Sequence, residues 1–253
     1  MSIKKIKIMY GSCSQRVYGY IYEQEDSSLM SDKAVILCHG FNSSHHYLED
    51  IAYALAENGI TALGFDFRGG SESSMSMGSP LDMSVRSEVD DALGAIEFIR
   101  RTRADRCKKL YLYGESQGGL VASLTGVSAY DKVDGLFLLY PAFCIPDDMK
   151  TVTPDDEGKI HILNMTISTK FLEGLPQFDV YEMMKAFPHF IRIHHGDADP
   201  IVRLSYSKRL YDELKALGRD VELFVYPGET HGFKAEAREK LRNDILETLK
   251  GVD

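Results

Sequence analysis

Leu110-Tyr111-Leu112-Tyr113-Gly114-Glu115-Ser116-Gln117-Gly118-Gly119 decides how this chain folds. Its first four residues form a continuous apolar run, the pattern of a strand buried on both faces of a parallel sheet. Its last residues open an apolar stretch, 120–128, with helical spacing. Between strand and helix lies the pattern Gly-x-Ser-x-Gly. So sharp a turn forces the serine backbone into a strained conformation, and only small neighbours let the chain close there. The turn lifts the hydroxyl above the sheet and points free helix N–H groups at any oxygen nearby. A plain glycine-rich turn between strand and helix would need the glycines but not the serine.

The same alternation continues on both sides. Residues 3–8 and 17–22 alternate apolar and polar side chains, as antiparallel edge strands do. Apolar runs follow at 34–38 (AVILC), 60–65 (ITALGF), 135–140, 190–193 and 221–226. Helical patterns lie at 47–57, 85–101, 204–217 and 235–249, with apolar residues recurring at three and four, as in Leu210, Leu214 and Leu217. This order predicts an α/β fold with a mostly parallel, eight-stranded sheet flanked by helices, the parallel strands ending on one edge. Residues 141–188 break the rhythm, being far too long for a simple crossover. Phe143, Met149, Met165, Phe171, Phe178, Tyr181, Met183 and Met184 there mix with Asp155, Asp156 and Glu157. We read this stretch as a cap inserted over the strand ends after the sixth strand; the alternative is a surface excursion whose apolar residues pack on the sheet.

A serine hydroxyl is a weak nucleophile near neutral pH. It needs a base, and the base needs an orienting acid, both on later strand ends. The chain offers His194-His195-Gly196-Asp197-Ala198-Asp199-Pro200 after one strand and Gly228-Glu229-Thr230-His231-Gly232 after the next. Of the eight histidines, only His231 sits in a glycine-flanked loop after the last strand. Asp197 and Asp199 are both candidates for the acid. A carboxylate two residues into such a loop is often spent on an Asx turn, a role we assign to Asp197, leaving Asp199 for the base. After strand 34–38, His39-Gly40-Phe41 can turn the Phe41 amide toward the serine, where with the Gln117 amide it would bind an oxyanion. His39, His194 and His195 are expected to tie loops together. His45 and His46 read as exposed residues at a helix start, with no third ligand for a metal evident.

The net charge of −9 and the scatter of basic residues argue against nucleic acid and anionic membranes as partners. Arg100, Arg101, Arg103 and Arg106 do cluster, but near a helix end, where the helix dipole favours positive charge. Cys13, Cys38, Cys107 and Cys144 are far apart and form neither a metal pattern nor a dense disulfide framework. No signal-like or membrane-spanning apolar run is seen, so a reduced cytoplasm is the expected setting. The 44% apolar residues suffice for a substantial core.

Together the HGF segment 39–41, DFRG at 66–69, SQGG at 116–119, HGDxD at 195–199 and Gly-x-x-His at 228–231 resemble the α/β-hydrolase superfamily over nearly the whole chain. Within it they look most like the small bacterial cinnamoyl or feruloyl esterases and related carboxylesterases. The resemblance implies one domain over 1–253 with a cap at about 142–187 that shapes the acyl pocket. It implies Ser116 as nucleophile, His231 as base, Asp199 as acid and the backbone amides of Phe41 and Gln117 as oxyanion hole, with no cofactor and no metal. The expected partner is a small-molecule ester of an acyl or aryl acid, and a homodimer is left open. A monoacylglycerol lipase, a thioesterase, an acyl-peptidase or a non-catalytic binding protein on the same scaffold are the alternatives. Two positions depart from the pattern: Glu115 stands where many relatives carry His, and the turn 68–73 reads Arg-Gly-Gly-Ser-Glu-Ser.

Overall fold

The computed structural model describes residues 2–173, 175 and 179–252; Phe178 lies outside the described residues. The chain runs β1 (Ile3–Ser12), β2 (Gln15–Gln24), β3 (Lys33–Cys38), α1 (Glu49–Glu57), β4 (Thr61–Phe65), α2 (Val85–Thr102), β5 (Lys109–Glu115), α3 (Gln117–Ser128) and β6 (Gly135–Leu139). It continues through α4 (Ile145–Asp148), β7 (Lys159–Ile162), β8 (Met165–Ser168), α5 (Val180–Met184), β9 (Phe190–Gly196), α6 (Leu204–Ala216), β10 (Val221–Tyr226) and α7 (Ala235–Gly251). Eight strands form one sheet in the order β1-β2-β4-β3-β5-β6-β9-β10. The β1–β2 hairpin and the β2–β4 pair are antiparallel, and the remaining pairs are parallel. This is the predicted α/β architecture.

The period of two along each central strand explains how the sheet is covered. Ile36, Cys38, Leu110, Leu112, Leu136 and Leu138 point to one face, where they pack with Ala92, Ile96 and Ile99 of α2 and Leu120 and Val121 of α3. Val35, Leu37, Tyr111, Tyr113, Phe137 and Leu139 point to the other, against Ile51 and Leu55 of α1 and Leu241, Ile245 and Leu249 of α7. Both faces being apolar, these strands have no polar alternation. In the edge hairpin β1 alternates over its second half, whereas the alternation expected of 17–22 is not seen, since β2, flanked by β1 and β4, is buried along nearly its whole length. The hairpin closes through Cys13 and Ser14, whose φ values of 45° and 67° make the left-handed turn that fits strand twist. It is longer than the sequence pattern suggested, because the ladder continues through polar residues to Ser12 and Gln24.

The arginines at the end of α2 are placed by more than the helix dipole. Arg103 donates to the buried Glu23 carboxylate at 3.0 Å, and Arg100 donates to the carbonyls of Lys108 and Lys132 at 3.0 and 2.7 Å. They fasten α2 to β2 and to the connections on either side of β5 and α3.

Between β6 and β9 the chain makes α4, the antiparallel pair β7–β8 and α5. Phe143, Met165, Phe171, Tyr181 and Met184 are buried and join the cluster on the α3 side of the sheet. The hairpin is tied to the body by a bond from Ser168 Oγ to the Leu81 carbonyl at 2.6 Å, by Lys170 paired with Asp82, and by a long bond of 3.4 Å from Asn42 Nδ2 to the Leu163 carbonyl. Among the described residues no helix is long and apolar enough to cross a membrane.

Candidate active site

Ser116 stands between β5 and α3 with φ 54° and ψ −120°, a conformation few non-glycine residues adopt. Hydrogen bonds force it there. Its N–H donates to the Leu139 carbonyl at 3.0 Å, and its carbonyl accepts from Gly119 and Ala142, both at 2.9 Å. The end of β6 and the residues just after it therefore hold the turn through both its N–H and its carbonyl. The flanking glycines are obligatory for close approach: a Cβ at Gly114 would lie 2.2 Å from the Gly118 carbonyl oxygen, and one at Gly118 2.2 Å from that of Cys38.

Two loops bring the other side chains to this point. His231, after β10, places Nε2 3.0 Å from Ser116 Oγ and Nδ1 2.8 Å from Asp199 Oδ2. An ionised carboxylate only accepts, so Nδ1 carries the proton and Nε2 is left to accept from the serine hydroxyl. Asp199 is also fixed from behind. Its Oδ1 accepts from the amides of Ile201 and Val202 at 2.8 and 2.9 Å, and its Oδ2 lies 3.6 Å from His195 Nε2. Burial by itself would raise this carboxyl; the bonds from His195, His231 and the Val202 amide outweigh it and hold the group well below the usual carboxylate range. It therefore stays charged throughout the neutral range.

The Asx-turn role given to Asp197 is corrected. Its Oδ1 accepts from the Gly228 amide at 2.7 Å, lacing the acid loop to the base loop, while the local turn bonds belong to Asp199. One short carboxylate thus does two jobs, which its spacing from the strand does not reveal.

His39 ties loops as expected: Nε2 accepts from the Phe67 amide at 3.1 Å and Nδ1 donates to the Gly40 carbonyl at 2.7 Å. His195 bonds Ser207 Oγ and the Val202 carbonyl, and His194 bonds the Tyr226 hydroxyl, its ring pushed down to about 3 by burial. The reading of His45 and His46 is corrected in part. His46 is exposed, but His45 is buried, with Nδ1 2.7 Å from Asp66 Oδ1. A third group that could ligate is present as well, since atoms of His45, His46 and Glu49 all lie within 4.8 Å of one another. Glu49 is already engaged, however, by the Lys5 ammonium at 2.7 Å and the Tyr22 hydroxyl at 3.2 Å.

Ser116 opens onto a cavity of about 110 Å³. Phe41 and Gln117 border it at the serine, and Ala142, Ile145, Met149, Ile162 and Phe171 supply a mainly apolar wall. All five come from the excursion between β6 and β9. Behind the cavity-lining Gln117, its Nε2 donates to a carboxyl oxygen of the buried Glu88 at 2.7 Å. The sequence reading missed Glu88, because a lone acid on an amphipathic helix looks like a surface residue. It also missed Tyr140, whose ring centroid lies 4.3 Å from that of His231.

A family model described as serine aminopeptidase, S33, matches residues 30–180, more than half of the chain and the nucleophile turn within it. The chain belongs to this family. The serine aminopeptidase S33 match and the sheet topology agree on an α/β-hydrolase of the serine hydrolase class. Over 144 residues this S33 member is 27% identical to an acyl-protein thioesterase 1 from Neurospora crassa, covering 57% of the chain; it spans about half (48%) of that relative's length. Among solved structures, the feruloyl-acid-bound form of Est1E from Butyrivibrio proteoclasticus ("Ferulic Acid bound to Est1E") superposes with a TM-score of 0.84 at 20% identity, covering 96% of this chain and 99% of the other. The Pyrococcus furiosus esterase Pf2001 does so with a TM-score of 0.75 at 19% identity, covering 98% and 92%. Those likenesses establish the shared fold.

Proposed function

We propose that this protein hydrolyses carboxylic esters of small acyl or aryl acids through an acyl-enzyme on Ser116. His231 Nε2 takes the serine proton as Oγ bonds to the ester carbonyl carbon. The amides of Phe41 and Gln117 receive the resulting oxyanion. His231 then gives its proton to the departing alcohol oxygen as the carbon–oxygen bond breaks. In the second half, His231 takes a proton from water, hydroxide oxygen bonds to the acyl carbon, and Ser116 leaves with that proton. Asp199 stays ionised and keeps the imidazole in the tautomer that this sequence needs.

One observation carries the reading: the hydrogen-bonded chain Asp199–His231–Ser116 ends at the mouth of a small apolar cavity. In that reading the 142–187 excursion is a cap, since it supplies most of the cavity wall. A cavity near 150 Å³ is enough for a benzene ring, so about 110 Å³ favours short acyl chains or a ring that reaches past the open mouth. The thioesterase relative favours a second reading, in which the leaving group is a thiol. The same steps serve it unchanged.

A panel of p-nitrophenyl esters from acetate to decanoate, methyl ferulate, an S-acyl thioester and a peptide anilide tests the proposal. Turnover of the short esters or the ferulate, lost in Ser116→Ala, is the expected result. Cleavage of the peptide anilide without any ester cleavage would overturn it. Thioester turnover far above that of the oxygen ester would select the second reading.

A further inference from the structure

Glu115, the residue before the nucleophile, is buried at the end of β5 and reaches across to the last helix. Its Oε1 accepts from Arg238 Nη1 at 2.6 Å and from the Tyr113 hydroxyl at 2.7 Å. Its Oε2 accepts, at a longer 3.4 Å, from the Tyr140 hydroxyl, and the Tyr140 ring lies against His231 and, at 5.6 Å, against Phe233. Arg238 sits in the first turns of α7, the helix that the His231 loop runs into. Its fork is filled on the other side by Asp50 of α1, through Nε at 2.8 Å and Nη2 at 2.9 Å, with Nη2 also donating to the Tyr47 carbonyl at 3.2 Å.

One of the two charged groups adjoins one proposed reacting group in the chain, and the other follows the second in the next helix. Glu115 is covalently joined to Ser116, and Arg238 lies in the first turn of α7, the helix into which the His231 loop runs. Loop 227–234 is otherwise held by a few bonds, among them Gly228 N to Asp197 and Lys234 N to Glu229 Oε2. Nothing in those bonds fixes how far the loop stands from β5. The Glu115–Arg238 pair spans that gap directly, and Tyr140 fills the space between it and the imidazole. Tyr140 also adopts φ 36°, a strained value for a bulky side chain, while its N–H is spent on the His194 carbonyl at 2.7 Å. Strain of that kind persists where the surroundings over-determine the position.

We propose that Glu115 and Arg238 are a pair of positioning residues that set the distance between the Ser116 hydroxyl and the His231 imidazole, with Tyr140 as the spacer between pair and ring. The inference rests on the roles proposed above for Ser116 and His231. Because misplacement by about 1 Å can cost on the order of a hundredfold in rate, Glu115→Gln and Arg238→Ala should each lower kcat by about ten- to a hundredfold. KM for a small ester should stay within about twofold, since neither side chain lines the cavity.

The test compares steady-state kinetics and fluorophosphonate labelling rates of the wild-type protein with Glu115→Gln, Arg238→Ala and Tyr140→Phe, each checked for folding by circular dichroism. Tyr140→Phe keeps the ring and should lose less activity than the other two. Added guanidinium or methylguanidine should restore part of the kcat of Arg238→Ala and none of that of Glu115→Gln. Folded variants with wild-type kcat, or a rise in KM alone, would overturn the proposal, as would failure of rescue with a kcat loss no larger than the loss in folded fraction. If the wild-type protein itself resists labelling at Ser116, the underlying catalytic reading fails instead, and the two failures are thereby told apart.

Discussion

Asp199 carries more connections than orienting a histidine requires. One oxygen holds two amides of its own loop and the other faces two imidazoles. Replacing it by Asn keeps the size and one acceptor, but the new NH₂ group would donate to His231 Nδ1. The imidazole proton would then sit on Nε2 and face the serine hydroxyl, leaving no base. We expect Asp199→Asn to lower kcat by about 10⁴-fold with the protein still folded, read by ester turnover alongside circular dichroism. Asp197→Ala makes a useful contrast. It removes only the lacing bond to Gly228, so a loss of about 1 kcal/mol in unfolding free energy is expected, with kcat reduced far less than in Asp199→Asn; urea unfolding and turnover measure the two effects. At this scale, where chemistry restricts the choice, the sequence pointed to side chains that the structure brings within hydrogen-bond distance. Only one histidine follows the last strand in a glycine-flanked loop, and Ser116 is marked by its glycines. Which aspartate does what was not readable from spacing, since both lie within bonding reach of the same loops. Glu88 and Tyr140 left no signal at all, because their importance arises only when separate elements meet.

Among the elements, the β7–β8 hairpin turns through Leu163 and Asn164, both left-handed, with φ values of 45° and 62°. Asn tolerates this region; Leu does not, and it costs roughly 1–2 kcal/mol. Leu163 is nonetheless exposed at the cavity mouth. Leu163→Gly should therefore raise the melting temperature by a few degrees while raising KM for the longer acyl esters, which thermal unfolding and a chain-length series would show together. Just after the 78–82 loop against which that hairpin rests, α2 begins with Ser84 and Ser87 capping each other's amides at 3.1 and 2.9 Å. Strands and long helices were legible because their periods of two and 3.6 are set by burial on a sheet. The excursion was legible only as an interruption. Its short hairpin and helical turns are held by contacts with the 78–82 loop and the core, not by local pattern.

Over the whole molecule, the buried charged side chains among the described residues fall mostly in pairs, and Glu88 of α2 departs from that pattern. Burial pushes its carboxyl up to about 8, the Gln117 amide pulls the other way, and Asp91 pushes up again. In the unfolded chain the same group titrates in the ordinary carboxylate range, near 4.3. Between those values the folded protein holds a proton that the unfolded chain has lost, so stability falls as pH rises from about 5 to above 8. Glu88→Gln should flatten that fall and leave the protein more stable at pH 8.5 than the parent, as urea unfolding at pH 5.5 and 8.5 would register.

The hydrogen-bonded side chains of Ser116, Asp199 and His231 follow the ends of β5, β9 and β10, whereas most of the cavity wall arrives in one uninterrupted piece of chain between β6 and β9. The hydrogen-bonded chain and most of the wall of its cavity thus lie on separate stretches of sequence. Under the proposed function, exchanging the second stretch would change which acid fits while leaving the first, and with it the means of cutting, untouched.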